Sequence, residues 1–120
     1  MKELLQTLKK KKMKIVGYGA SAKGNTMINY FKVNLSYTID DNPLKWNYRM
    51  PGRNIPIHGP ENLKNDKNDL YIIMLAWNYY NEISKRIKKI RPNKNDIAIL
   101  YVPSIKQIKI SSSKKYKESA

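Results

Sequence analysis

The stretch Gly17-Tyr18-Gly19-Ala20-Ser21-Ala22-Lys23-Gly24 decides the fold of this 120-residue chain. It follows the apolar run 13–16, which favours a strand, and precedes residues 25–31, which have helical periodicity. In this context Gly17-x-Gly19-x-x-Ala22 matches the G-x-G-x-x-G/A pattern, in which the glycines permit a tight turn and close backbone approach to a pyrophosphate. The small third residue allows close helix packing. The stretch therefore predicts a phosphate-binding loop, the alternative being a tight connection that binds no ligand.

Strands and helices alternate along the rest of the chain. The other predicted helices cover 3–11, the segment from Pro60, and a segment capped by Asn78 and ended by Pro92; the other predicted strands cover 37–39, 55–57, 70–75 and 96–102. The continuous apolar run 70–75 is typical of a central strand, and Pro56 indicates an edge strand. We therefore predict an α/β fold: a Rossmann-like three-layer sandwich of about five mostly parallel strands in the order 3-2-1-4-5.

The length of the chain suits one domain. We predict a helical lead-in over residues 1–12, the Rossmann-like domain over 13–110, and a flexible Lys-rich tail over 111–120.

Composition narrows the function classes further. The chain has no cysteine, which excludes disulfides and thiolate metal sites, and it shows neither a secretory leader nor an apolar run long enough for a bilayer. We expect a cytoplasmic protein without a membrane partner or a metal site. The net charge of +15 resides largely at the two ends and on a predicted helix face, at Lys85, Arg86, Lys88, Lys89 and Arg91. Such a face is usually solvated, so a basic nucleic-acid-binding domain is the weaker alternative.

Several polar side chains are candidate ligand contacts. Asp40 lies 21 residues after Gly19 at the end of the second predicted strand, where a carboxylate can accept a ribose hydroxyl or simply form an Asx turn before Pro43. Lys23 can pair with phosphate or face solvent. Trp77, beside Asn78 after the central strand, can stack on a base or sugar, or act as a core aromatic. His58 has no catalytic or metal-binding partner in a recognisable spacing, so we predict a strand-end residue.

Several motifs in one order resemble a known family. They are the loop and its continuation to Thr26, Asp40-x-Asn42-Pro43-x-Lys45, Pro51-Gly52-x-x-Ile55-Pro56-Ile57, and Ala76-Trp77-Asn78. From Ile15 to Pro103 the chain resembles the C-terminal domain of the sugar-nucleotide C-methyltransferases of deoxysugar biosynthesis. In that family a zinc-binding module and an S-adenosylmethionine-binding domain precede this one, which helps to hold the nucleotide-linked sugar.

The resemblance implies a set of substrate-binding residues. Those that would line the diphosphate are Gly17, Tyr18, Gly19, Ala20, Ser21, Ala22, Lys23, Gly24 and Asn25. Asp40, Asn42 and Lys45 would border the nucleotide or sugar, and Trp77 with Asn78 would close the pocket.

The resemblance implies a nucleotide-sugar-binding module of deoxysugar or surface-polysaccharide biosynthesis that holds a ligand such as a TDP-sugar. We expect no catalytic residue in this chain and no cofactor on this domain, since S-adenosylmethionine would bind a separate domain or a separate methyltransferase chain. Any enzymatic role would be as part of such a methyltransferase. The pattern from Gly17 to Asp40 also leaves open an NAD(P)-type dinucleotide-binding domain.

Overall fold

The computed structural model describes residues 1–110 as four helices, seven strands and two short 3-10 turns. The helices are α1 (Lys2–Lys10), α2 (Ala22–Tyr30), α3 (Glu61–Asn65) and α4 (Tyr80–Ile90). The strands are β1 (Lys14–Tyr18), β2 (Thr38–Ile39), β3 (Arg49–Met50), β4 (Ile55–His58), β5 (Leu70–Met74), β6 (Ile97–Leu100) and β7 (Lys106–Lys109). The 3-10 turns cover Pro43–Lys45 and Trp77–Tyr79. The predicted tail lies outside the described residues.

The fold is α/β, as predicted, and its strands form one mixed sheet in the order β3-β4-β2-β1-β5-β6-β7. This seven-stranded order differs from the predicted 3-2-1-4-5. The strands predicted from the sequence correspond to β1, β2, β4, β5 and β6, which pair in parallel, whereas β3 and β7 pair antiparallel at the two edges. The prediction missed both edge strands because β3 has only two residues and β7 is rich in lysine and glutamine.

The predicted edge position of the third strand is also wrong. That strand is β4, and β3 covers its outer side, with Pro56 opposite Arg49. Proline cannot donate to a ladder, so its presence favours an edge, but a two-residue partner with few hydrogen bonds tolerates it.

Helices cover both faces of the sheet. Alternate residues of a strand point to opposite faces, and accordingly Val16 and Tyr18 of β1 belong to one hydrophobic cluster while Ile15 packs against the other. The first cluster includes Ile83 of α4, and the second includes Leu8 of α1. Leu8 exposes only 2% of its surface, so the predicted lead-in forms part of the core.

A network of polar side chains, here called the polar clasp, lies at the end of the sheet where β1 and β5 begin. Arg91, which was predicted to lie on a solvated face, is instead 5% exposed, because it follows the end of α4 and turns inward to Asp96. Its Nε donates to Asp96 Oδ2 at 2.8 Å, and Asp96 Oδ1 accepts the Leu70 amide at 2.9 Å. The Arg91 guanidinium also donates to the carbonyl oxygen of Leu63. Buried charges require such complete pairing.

A second polar network, around Asp66, lies at the same end of the sheet. Lys14 Nζ lies 2.8 Å from Asp66 Oδ2, and the Tyr37 hydroxyl donates to the same oxygen at 2.7 Å. Burial opposes ionisation of Asp66, but the hydrogen bonds from Lys14 and Tyr37 outweigh it and hold the pKa well below its usual range. No helix within residues 1–110 is long and apolar enough to cross a membrane.

Candidate functional site

The glycine-rich loop connects β1 to α2 at the carboxyl end of the parallel strands. Gly19 has φ of 94°, in the left-handed region that favours glycine. A Cβ on Gly19 would lie 2.6 Å from the Cβ of Ala76, which follows β5. The conformation and the close neighbour both require glycine here, and the loop is consequently held against the end of β5.

The residue that allows α2 to pack closely is Gly24, which corrects the prediction for Ala22. Ala22 is exposed, whereas Gly24 is buried. A Cβ on Gly24 would lie 2.8 Å from Leu75 Cβ and 2.9 Å from Ser21 Oγ. Helix α2 therefore meets the sheet through the backbone of Gly24, two residues later than the G-x-G-x-x-G/A pattern suggests.

Most amides of the loop already have acceptors. The Gly19 amide donates to the Ile39 carbonyl at 2.6 Å, and Ser21 caps α2 by accepting from the Gly24 amide at 3.0 Å. The amides of Ala22 and Lys23 have no acceptor among residues 1–110. Unpaired amides in the first turn of a helix attract anions.

Lys23 supplies a positive charge at the same helix end. Its side chain is exposed and makes no hydrogen bond or ion pair within the described part of the chain. The loop thus offers two backbone donors and one ammonium group to a ligand.

Asp40 braces the loop from the end of β2. One carboxylate oxygen accepts the Ala20 amide at 2.8 Å, and the other accepts the Asn42 amide at 2.8 Å. The bond from the Asn42 amide forms an Asx turn, which is one of the two roles that the sequence suggested for Asp40, the other being a contact with ribose. Asp40 therefore joins the glycine loop to the segment that follows β2.

The other residues of the Asp40 motif reinforce this brace. Lys45 Nζ donates to the Ala20 carbonyl at 2.9 Å and lies 3.6 Å from Asp40 Oδ2. Asn42 Oδ1 accepts the Leu44 amide at 3.1 Å and caps the 3-10 turn. Trp46, which the sequence did not single out, donates from its indole nitrogen to the Asp40 carbonyl at 2.7 Å.

A crevice of about 220 Å³ lies beside the loop, between the carboxyl ends of β1 and β2 and helix α4. Its lining includes Tyr18, Gly19, Asp41, Glu82 and Arg86. Tyr18 and Gly19 are among the substrate-binding residues that the resemblance implies, whereas Asp41, Glu82 and Arg86 are not. Asp41 and Arg86 are 45 residues apart, and no local pattern indicates that they meet.

Tyr18, Asp41 and Arg86 form one hydrogen-bonded group in this crevice. The Tyr18 hydroxyl donates to Asp41 Oδ1 at 2.6 Å, and Arg86 forms an ion pair with Asp41 Oδ2. Arg86 is consequently paired across the crevice and not simply solvated. Burial, followed by the hydrogen bond to Asp41, raises the pKa of Tyr18 to about 12. Tyr18 is therefore a neutral hydrogen-bond donor at physiological pH.

Trp77 and Asn78 line a separate pocket of about 170 Å³ near Leu100 at the end of β6. Tyr79 and Glu82 line both this pocket and the crevice. The prediction that Asn78 caps α4 is wrong, because the 3-10 turn Trp77–Tyr79 precedes the helix and the residue before the first turn of α4 is Tyr79.

His58 is the last residue of β4, as predicted. Its ring centroid lies 5.9 Å from that of Tyr37. Residues 1–110 hold no group of three or more His, Cys, Asp or Glu side chains arranged to bind a metal.

A family model described as the C-methyltransferase C-terminal domain matches residues 1–103. The chain belongs to this family. It is also similar to the C-methyltransferase NovU of Streptomyces niveus, with 33% identity over 82 residues. That match covers 66% of this chain but 19% of the relative, so it spans about a fifth of that protein.

This C-methyltransferase C-terminal domain provides hydrogen-bonding groups around a crevice. The loop offers two unpaired amides, Tyr18 offers a neutral hydroxyl, and Asp41 and Glu82 offer carboxylate acceptors. These groups can bind and orient a polar ligand.

Proposed function

We propose that this C-methyltransferase C-terminal domain is a Rossmann-like module that binds a nucleotide-linked sugar at the carboxyl ends of β1 and β2. The observation that carries the proposal is the pair of unpaired amides at Ala22 and Lys23, together with the exposed Lys23 ammonium. Two backbone donors and a cation at a helix N-terminus suit a diphosphate. The diphosphate would therefore lie against the first turn of α2.

The crevice suits the uncharged part of such a ligand. Among the described residues, its lining carries three carboxylates, Asp40, Asp41 and Glu82, and one cation, Arg86. A diphosphate would therefore be repelled there. Carboxylates and the Tyr18 hydroxyl instead bind sugar hydroxyl groups well. Asp40 can also accept a ribose hydroxyl, because each carboxylate oxygen has a second lone pair beyond the one used by the backbone amide.

Methyl transfer would require other parts of an enzyme. The match to NovU covers 19% of that protein, and the described residues of this chain form only the one sheet with its helices. We propose that S-adenosylmethionine binds a separate domain or a separate methyltransferase chain, in the cytoplasm, and that the complex serves deoxysugar or surface-polysaccharide biosynthesis.

Calorimetric titration tests the proposal. TDP and a TDP-deoxysugar would be titrated into the purified chain, with NAD and S-adenosylmethionine as comparison ligands. We expect saturable binding of both TDP compounds. Tighter binding of NAD would instead support a dinucleotide site, and no binding of either TDP compound would contradict the proposal.

A pair of lysine variants locates the diphosphate. Lys23→Ala should weaken TDP binding by roughly tenfold or more, since charge-assisted hydrogen bonds contribute about 1.5–3 kcal/mol. Lys88→Ala is the matched control, because Lys88 is also an exposed helical lysine but lies in the last turn of α4. Equal weakening in both variants would indicate nonspecific attraction to a basic chain.

A further inference from the structure

A further recess, with a different character, lies at the other end of the sheet, where strand β1 begins. This groove, of about 440 Å³, lies between α1, the start of β1 and the segment that joins α2 to β2. Its volume is about twice the 220 Å³ of the crevice beside the glycine loop. This volume lies within the range of about 300–1,000 Å³ that is usual for binding clefts.

The floor of the groove is apolar and incompletely covered. Leu5, Met13 and Ile15 line it and are only partly buried against the core. Phe31 lies at its margin with 38% of its surface exposed, and the neighbouring Tyr30 is 78% exposed and contacts Phe31 edge-on, with 4.9 Å between ring centroids. Contiguous exposed apolar surface of this kind marks interaction sites.

The rim of the groove is basic. Among residues 1–110, four lysines and no aspartate or glutamate line it: Lys2, Lys9, Lys14 and Lys32. Lys14 is paired with Asp66. The other three lysines take part in none of the ion pairs found within residues 1–110. Three uncompensated cations around an apolar floor would repel a second copy of this basic chain and would attract carboxylates.

We propose that this groove binds an acidic amphipathic segment of a partner protein. Apolar side chains of the segment would enter the groove against Leu5 and Phe31, while its carboxylates would pair with Lys9 and Lys32. A recess favours an inserted side chain, whereas a membrane surface would favour apolar side chains that protrude from the protein.

The groove is independent of the proposed ligand site. Lys14 lines the groove at the beginning of β1, whereas Gly19 lines the crevice just after that strand ends. A partner protein can thus bind where strand β1 begins while the crevice where β1 ends remains open to a small ligand.

Peptide binding to the full chain tests the proposal. The probe is a fluorescently labelled helical peptide with leucine on one face and glutamate on the other; the comparison peptide has lysine in place of glutamate. We expect the glutamate peptide to bind, with affinity that falls as salt rises, and to shift backbone NMR signals around Leu5 and Phe31. Absence of binding, equal binding of both peptides, or shifts confined to the glycine-loop edge would overturn the proposal.

Matched charge reversals provide the control. The double variant Lys9→Glu/Lys32→Glu should bind the glutamate peptide about tenfold more weakly than the unaltered chain. The double variant Lys88→Glu/Lys89→Glu makes the same charge change on α4 and should alter this affinity by no more than about twofold. Phe31→Ala removes a half-buried ring from the margin of the groove and should weaken binding of the glutamate peptide. Circular dichroism of this variant should show the folded spectrum at the assay temperature. Equal weakening by both reversals would mean attraction to net charge alone. If the chain binds anionic phospholipid vesicles but not the peptide, the proposal is overturned, and the groove would be assigned to a lipid surface.

Discussion

Replacement of Gly24 by alanine should destabilise this domain, although the same change in an ordinary helix is stabilising. Alanine gains up to about 1 kcal/mol of helix propensity over glycine. The new Cβ, however, would lie 2.8 Å from Leu75 Cβ and 2.9 Å from Ser21 Oγ. Loss of the Ser21 cap costs about 1 kcal/mol, and overpacking against a strand costs about 1–3 kcal/mol. The expected net loss is therefore about 1–3 kcal/mol.

Urea denaturation, followed by circular dichroism, measures this loss directly. For a domain of this size the melting temperature should also fall by roughly 4 °C for each kcal/mol. Thr26→Ala in the same helix is the control, because Thr26 is exposed and its replacement should change stability by less than about 0.5 kcal/mol. A Gly24→Ala variant as stable as the unaltered protein would refute the close packing of α2 on β5.

Three further predictions concern buried and paired groups. Asp96→Ala should cost about 3–5 kcal/mol in denaturant unfolding, because it leaves the buried Arg91 guanidinium without its counter-ion; a loss below about 1 kcal/mol would contradict the clasp. The pKa of Asp66 is lowered in the folded state, so ionised Asp66 stabilises the fold above the unfolded pKa of about 3.9, and this contribution is lost as pH falls through the folded pKa. Asp66→Asn should therefore make the free energy of unfolding depend less steeply on pH in this acid range. An unchanged dependence on pH would argue against the network around Asp66. Tyr18 should ionise near pH 12. Its titration is obtained by subtracting the ultraviolet titration curve of the Tyr18→Phe variant from that of the unaltered protein. Ionisation near pH 10 would show that the Tyr18 hydroxyl is not buried beside Asp41.

Periodicity and composition were sufficient to predict the main elements of the fold. The apolar run of β5 is continuous because helices cover the sheet on both sides, and that of β1 is interrupted only by Lys14 and Gly17. This signal lies within each run. Strands β3 and β7 carried no such signal. Their pairing depends on neighbours that are already part of the sheet, so short or polar sequences suffice.

The candidate site was predicted less completely than the fold. The glycine loop and Asp40 follow from a pattern with fixed spacing, and the structure brings them together through the Ala20 amide. The pairing of Asp41 with Arg86 depends on how α4 crosses the sheet, which local sequence does not encode. Arg91 was assigned to a solvated face for a similar reason, since its inward turn begins only after α4 ends.

The brace formed by Asp40 has a consequence for the thermodynamics of ligand binding. The Asp40 carboxylate fixes the Ala20 amide from one side, and Lys45 fixes the Ala20 carbonyl from the other. A loop held in this way is already ordered before any ligand arrives, so little conformational entropy remains to be lost on association. If the proposed ligand binds here, the loop would behave as a rigid template, and differences in affinity among nucleotide-linked sugars would come from their own flexibility and hydration.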